Sequence, residues 1–252
     1  IDFVDVEPNT GNMCVKHLEA KLINAEKYGK LPSVVIPVHL AGTSCDMKKI
    51  YELSLRYGFK IIEDGSHAIG GKYLDTHIGS CKYSDITVFS FHPVKIITTG
   101  EGGMATTNNA EYARQMHLLR SHGVTRDEEL MIRKVEGPWY YEQIALGFNY
   151  RMNDIQAALG ISQMNRLNDF VSYRHKIAKR YEDLLKELPV RIPPYYPGVY
   201  SSFHLYVIRL KRESIKASHL EIFQHLVQLQ MLLIESTQTH SRDLSLQDQQ
   251  EC

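Results

Sequence analysis

Lys95 ends the stretch Ser90-Phe91-His92-Pro93-Val94-Lys95, and Thr98-Thr99-Gly100-Glu101-Gly102-Gly103 follows closely. About thirty residues upstream, an apolar run closes on Glu63-Asp64-Gly65-Ser66-His67-Ala68. A lysine on a turn after a buried strand is placed to form a Schiff base with a carbonyl. An aspartate at the end of a neighbouring strand is what a pyridine ring nitrogen needs to stay protonated. A serine shortly before the lysine, with a glycine-rich turn beyond it, offers donors to a phosphate. One cofactor, pyridoxal phosphate, makes all three demands. Each residue also has a plainer reading. Asp64 could cap its loop, Ser90 could be a strand-end serine, His67 an ordinary loop or core histidine, and the glycines could serve only a tight turn.

These residues need strands to hold them. Val34 to Val38 is a short, continuous apolar run, as in a strand buried on both faces. Asp46 to Tyr57 spaces Met47, Ile50, Leu53 and Tyr57 as a helix and stops at Gly58. Lys60 to Ile62 reads as a second strand, Ile86 to Ser90 as a third, and Met104 to Thr107 as a weaker fourth before a helix from Asn109 to about Ser121. Alternating strands and helices predict an α/β fold with a mainly parallel, doubly wound sheet. Ligands of such sheets bind at the carboxyl ends of the strands, where Asp64 and Ser90 fall and Lys95 lies just beyond.

Downstream, Asn153 is positioned to cap a long helical pattern through Ile155, Leu159, Met164, Leu167 and Val171, with a bend near Gly160 and an end at Pro189. The run from Pro193 to Gly198 reads as a linker loop, Phe203 to Leu210 as a strand opening a smaller domain, and Ser218 to Leu233 as amphipathic. Ser236 to Cys252, rich in Gln, Ser and Asp, reads as disordered. Ile1 to Val6 already looks like a strand interior, as if the chain joined a domain partway through.

The 29 basic residues balance 29 acidic ones, which points away from nucleic acid and from a charged membrane surface. Cys14, Cys45, Cys81 and Cys252 are dispersed, without zinc or redox spacing, as expected in a reducing compartment. With neither a bilayer-length apolar run nor a leader, the expected location is the cytoplasm.

The segments Val38 to Gly42, Glu63 to Ala68, Ser90 to Lys95, Gly100 to Gly103 and Gly147 to Ala158 carry a resemblance. From Ile1 to about Leu210 the chain resembles the DegT-type sugar-nucleotide aminotransferases, which use pyridoxal phosphate. The resemblance implies part of a fold-type-I large domain over residues 1–150, with its amino-terminal portion missing. It further implies a connecting helix over 151–192, a partial small domain over 193–233 and an aberrant tail over 234–252. It makes Lys95 the lysine that holds the cofactor and shuttles a proton, and Asp64 the partner of the pyridinium nitrogen. His67 resembles the residue near the ring hydroxyl and Ser90 the hydroxyl on the phosphate. Asn149 looks like the residue that reaches the phosphate from the second subunit of a homodimer, with Arg151 beside it toward substrate. By residue type alone, Asn149 could equally be a turn residue before a helix.

Within the family, the likeness is greatest to the branch that aminates C4 of a UDP-linked 4-keto-6-deoxy-N-acetyl hexose, with a donor such as glutamate. Three positions depart from the usual pattern: Ile96 replaces proline, Gly65 replaces alanine and Phe203 replaces tryptophan. An alternative reading is a non-catalytic fragment that binds cofactor weakly or pairs with another subunit. A dehydratase of the same family is disfavoured because that branch lacks the lysine. A nicotinamide enzyme is disfavoured because no Gly-x-Gly-x-x-Gly turn follows a strand.

Overall fold

The computed structural model describes residues 1–215, 217–218 and 220–224. Residues 1–186 together with 192–208 form one compact unit, and residues 187–191 with the described residues from 209 onward form another.

In the first unit, α1 (Val15–Lys27) leads into β1 (Val34–Val35), α2 (Met47–Tyr57) and β2 (Lys60–Asp64). Two short strands, β3 (Lys72–Tyr73) and β4 (Thr76–His77), precede β5 (Ile86–Ser90), β6 (Gly103–Thr106) and α3 (Ala110–Leu119). The main sheet has the order β1-β2-β5-β6. The β1–β2 and β2–β5 pairs are parallel, with Asp64 opposite Val88, and β6 closes the sheet antiparallel with Gly103 opposite Ser90. Parallel pairing brings the carboxyl ends of β2 and β5 to the same edge, so Asp64 and Ser90 share that edge because of topology.

Local sequence explains α2. Asp46 accepts the Lys49 N–H, and Gly58, at φ 78, closes the helix with its own N–H on the Ser54 carbonyl. Leu18 and Leu22 of α1 join Ile50, Leu53 and Tyr57 of α2 over Val35 and Ile61 to make one buried cluster. Phe89, Phe91, Ile96, Ile97, Ala68 and Val171 make a second cluster.

β1 differs from expectation. Its ladder covers two residues, and only Val38, bridged to Asp64, continues it, because Pro37 has no N–H to give. Val35 is 7% exposed, whereas Val34, Ile36 and Val38 are 43%, 53% and 42% exposed. Helices α1 and α2 pack on the Val35 face, so the run alternates rather than burying both sides. Likewise, Ile1 to Val6 contributes only an isolated bridge from Val6 to Met13 and no strand.

Beyond α3, β7 (Val124–Thr125) pairs with β8 (Glu142–Gln143). The expected long helix runs as two, α4 (Asp154–Met164) and α5 (Leu167–Leu185). Asn153 and Gln156 form a reciprocal capping box on α4. The break falls at Arg166, whose backbone is non-helical, rather than at Gly160. β9 (Val190–Arg191) follows, and β10 (Val199–Tyr200) returns to pair with β3. Phe203 to Ile208 is not a strand: Phe203 has φ 46, a left-handed turn conformation that interrupts any ladder. Only β11 (Arg209–Leu210) is extended there, pairing antiparallel with β9 inside the second unit. Residues 220–224 are helical. The rest of the amphipathic segment, and the tail expected to be disordered, lie outside the described residues.

Among the described residues, no helix is long and apolar enough to cross a membrane. Cys14, Cys45 and Cys81 are unpaired thiols.

Candidate active site

The end of β2 carries two adjacent carboxylates facing opposite sides of the sheet. Glu63 points inward and meets His39 Nε2 at 2.8 Å, with both side chains buried. The Ser84 hydroxyl also donates to Glu63 Oε1, as does Thr87 Oγ1 at 3.2 Å. The Cys45 N–H points at His39 Nδ1 from 3.2 Å, so the imidazole proton sits on Nε2, facing Glu63. Burial pushes the Glu63 carboxyl up, but His39, Ser84 and Thr87 together hold it below the ordinary carboxylate range. This network ties the ends of β1 and β2 and the start of β5 to one another.

Asp64 faces the other way. Its N–H donates to the Pro37 carbonyl at 2.9 Å and its carbonyl accepts the His39 N–H at 3.1 Å. Oδ1 accepts the Ser66 N–H at 3.0 Å, and Oδ2 has no partner among the described residues. A fixed carboxylate with one open oxygen can accept a proton-bearing ring nitrogen. The Gly65 after it has little room: a Cβ there would lie 3.0 Å from the Phe89 ring and 3.1 Å from the Val88 carbonyl. In this chain the glycine admits the Phe89 ring against the turn.

His67 follows on that turn, with Nδ1 accepting the Ala41 N–H at 3.3 Å. Its pKa is lowered, first by burial and then by the positive charge of Lys95, with Asp64 acting in the opposite direction. Asp64, His67 and Lys95 therefore share one electrostatic environment. Lys95 closes a turn with its N–H on the His92 carbonyl at 2.9 Å. The next two residues, Ile96 and Ile97, are buried in the Phe89–Phe91 cluster, so the turn that carries Lys95 is anchored by apolar packing on its carboxyl side. Lys95 itself is half-buried, and its amine has no hydrogen bond or ion pair among the described residues. The glycine-rich turn folds back under it. The Phe91 N–H reaches the Gly102 carbonyl at 2.8 Å and the Thr99 N–H the Phe91 carbonyl at 3.0 Å. Gly102, at φ 157, passes so close to Thr99 Oγ1 that a Cβ would collide with it. Ser90, at the end of β5, accepts the His92 N–H at 3.4 Å.

Asn149 and Arg151 stand elsewhere. Asn149 bridges to Ser121 just past α3, and Arg151 Nη2 lies 3.4 Å from His122 Nε2. Both are exposed, and none of their recorded partners belongs to the Asp64–His67–Lys95 group. Around them Leu146, Phe148, Tyr150, Ile155 and Ile161 are also exposed. Sequence reasoning missed the supporting residues His39, Glu63, Arg174 and His204. The signal for Glu63 was its place one residue before Asp64, which strand alternation turns to the opposite face.

Residues 2–243 match the model of the DegT/DnrJ/EryC1/StrS aminotransferase family. The chain belongs to this family. The family match also runs past Leu210, where the resemblance was expected to stop. A UDP-4-amino-4,6-dideoxy-N-acetyl-beta-L-altrosamine transaminase of Campylobacter jejuni is 36% identical over 83% of this chain and 52% of its own length. Among solved structures, Helicobacter pylori PseC, an aminotransferase involved in the biosynthesis of pseudoaminic acid, is 32% identical with a TM-score of 0.72, covering 84% of this chain and 53% of that one. The PLP-form of the putative sugar aminotransferase Spr1654 from Streptococcus pneumoniae is 28% identical with a TM-score of 0.72, covering 90% of this chain and 58% of that one. The chain thus spans about half the length of the curated relatives it matches. The fold is that of the family's pyridoxal-phosphate enzymes. An open Asp64 oxygen, an unpaired Lys95 amine and a neutral His67 fit that cofactor.

Proposed function

We propose that this chain carries the cofactor-holding half of a nucleotide-sugar aminotransferase. The observation that carries the reading is the convergence of Asp64, His67 and Lys95 at one sheet edge, each with an atom that the fold leaves free for a ligand or holds in one protonation state. When bound, pyridoxal phosphate supplies an electron sink that lets an amino group pass from a donor to a keto carbon. Lys95 would hold the cofactor through its amine, and once displaced by the amino donor that amine would move a proton within each half-reaction, to or from the carbon that carries the amino group. Asp64 keeps a proton on the ring nitrogen through its open oxygen. His67 offers Nε2–H to the ring hydroxyl, and Ser90 offers its hydroxyl to the phosphate. Asn149 reaches the phosphate of a second copy across a homodimer, and Arg151 orients substrate beside it. The exposed apolar side chains between Leu146 and Ile161 support that pairing, since such patches mark association surfaces.

The substrate of this reading is a UDP-linked 4-keto-6-deoxy-N-acetyl hexose, aminated at C4 with glutamate as donor, as the Campylobacter relative's name suggests for its own sugar. The test is transfer of label from [15N]glutamate to that sugar in the presence of pyridoxal phosphate. Labelled amino sugar, absent with Lys95→Ala, is expected. Covalent cofactor on Lys95 without label in the sugar would contradict the transaminase reading and favour a binding-only chain.

A further inference from the structure

His204 is 9% exposed, and its Nδ1 is sealed from solvent with no hydrogen-bond partner among the described residues. A buried nitrogen left unpaired costs free energy that an apolar side chain of the same shape would avoid. The fold gains nothing from hydrogen bonding at that atom. What the ring does instead is pack against His67: the two centroids lie 4.5 Å apart, with the rings tilted at 38° to each other.

The ring pair is held from several directions. Arg174 Nη1 donates to the carbonyls of Phe203 and His204 at 3.1 and 3.2 Å, fixing the left-handed turn at Phe203. Ser202 Oγ donates to the His67 carbonyl at 2.9 Å. The N–H groups of Ser202 and Leu205 reach the carbonyls of Gly42 and Ala41 at 3.1 and 3.3 Å. A Cβ on Gly42, at φ 99, would strike Ser202 Oγ, which shows how tightly the two turns interlock. The same turn supplies the Ala41 N–H that reaches His67 Nδ1.

We propose that His204 is a positioning residue for His67: its ring face, clamped through Arg174, holds the His67 imidazole where the Ala41 N–H meets Nδ1. That contact leaves the proton of neutral His67 on Nε2. Electrostatics agree. Burial first, then His67, Lys95 and Arg174, push His204 down to about 4, so it stays uncharged beside His67 at neutral pH. The functional meaning rests on the proposed role of His67; the pairing itself does not.

The test compares His204→Phe with His204→Leu in the full chain without cofactor, by NMR of [15N]histidine and [15N]alanine. His67→Gln and Ala41→Gly assign the signals. Both variants fill the space, and neither keeps the orphaned nitrogen, so both are expected to fold at least as stably as the parent. Phenylalanine, which retains a ring face, should preserve the Nε2–H signature of His67 and the exchange protection of Ala41. Leucine should average the two His67 nitrogen shifts and speed Ala41 exchange about tenfold, the loss of one ordinary hydrogen bond. A leucine variant that keeps both signatures, or a phenylalanine variant that loses them equally, would overturn the proposal. Failure of the wider site reading shows separately, as absent cofactor trapping at Lys95 with the histidine signals intact.

Discussion

Asp64, His67 and Lys95 sit at strand ends and turns whose backbones are tied down on both sides. Asn149 and Arg151 sit on an exposed segment beside large apolar side chains that nothing described covers. The first group is held by its own chain: the His39–Glu63 network beneath Asp64, the Ile96–Ile97 anchor beside Lys95 and the tilted His204 ring against His67. The second group has only Ser121 and His122 as recorded partners. One part of the proposed site is preorganised within a single chain, and the other lies exposed, where the proposed homodimer would bring a second copy. Rigid placement is what charge-stabilising groups need, since they must not reorganise during the reaction.

The largest expected effect falls on stability, at Glu63. Glu63→Ala leaves the His39 Nε2–H and the Ser84 and Thr87 hydroxyls without their buried acceptor and should destabilise the chain by about 3–5 kcal/mol in chemical denaturation, at about 1–3 kcal/mol per stranded donor. Glu63→Gln, which can still accept from His39 Nε2, should cost less. An alanine variant as stable as the parent would remove the argument that this network fixes the strand ends.

One position along, Asp64 should show the opposite profile. Asp64→Ala removes a half-exposed carboxylate that holds only the Ser66 N–H, so stability should change little. Amino transfer should fall by roughly two orders of magnitude, as for other preorganised charge-stabilising groups. Cofactor retention should fall less, because the contacts proposed for the phosphate would be untouched. Near-normal turnover in Asp64→Asn would break the contrast between the two carboxylates.

The smallest effect belongs to the outward group. Asn149→Ala should leave folding and the reactivity of Lys95 in dilute protein unchanged. At concentrations where copies pair, it should weaken cofactor retention by about tenfold, one lost hydrogen bond to a charged group. A loss already complete in dilute monomer would place Asn149 in its own chain's site instead.

The part of this plan that was legible in the sequence is the part written locally. Asp46 and Gly58 bracket α2 by capping chemistry, and the observed helix keeps those limits. Asp64 and Ser90 were placed at strand ends by apolar runs of strand length, and the parallel pairing put them on one edge. What failed was written in tertiary contacts. The apolar run from Phe203 looked like a strand, yet Arg174 and the Ser201 and Ser202 hydroxyls stabilise a left-handed turn there. Val34, Ile36 and Val38 looked fully buried, because composition alone does not reveal that both helices pack on the same face. The helix break at Arg166 carries no glycine or proline to announce it.

Lys95 is the amine that the proposed site offers to the cofactor, and borohydride reduction followed by peptide mapping tests this directly. Incubation with pyridoxal phosphate should give a visible absorbance band, and reduction should fix the cofactor on the peptide containing Lys95. Lys95→Ala should abolish both. Lys72 and Lys82 should remain unlabelled, since neither has the buried anchor that Ile96 and Ile97 provide to Lys95. Label recovered mainly on Lys72 or Lys82, or undiminished in Lys95→Ala, would contradict the assignment of this corner as the cofactor site.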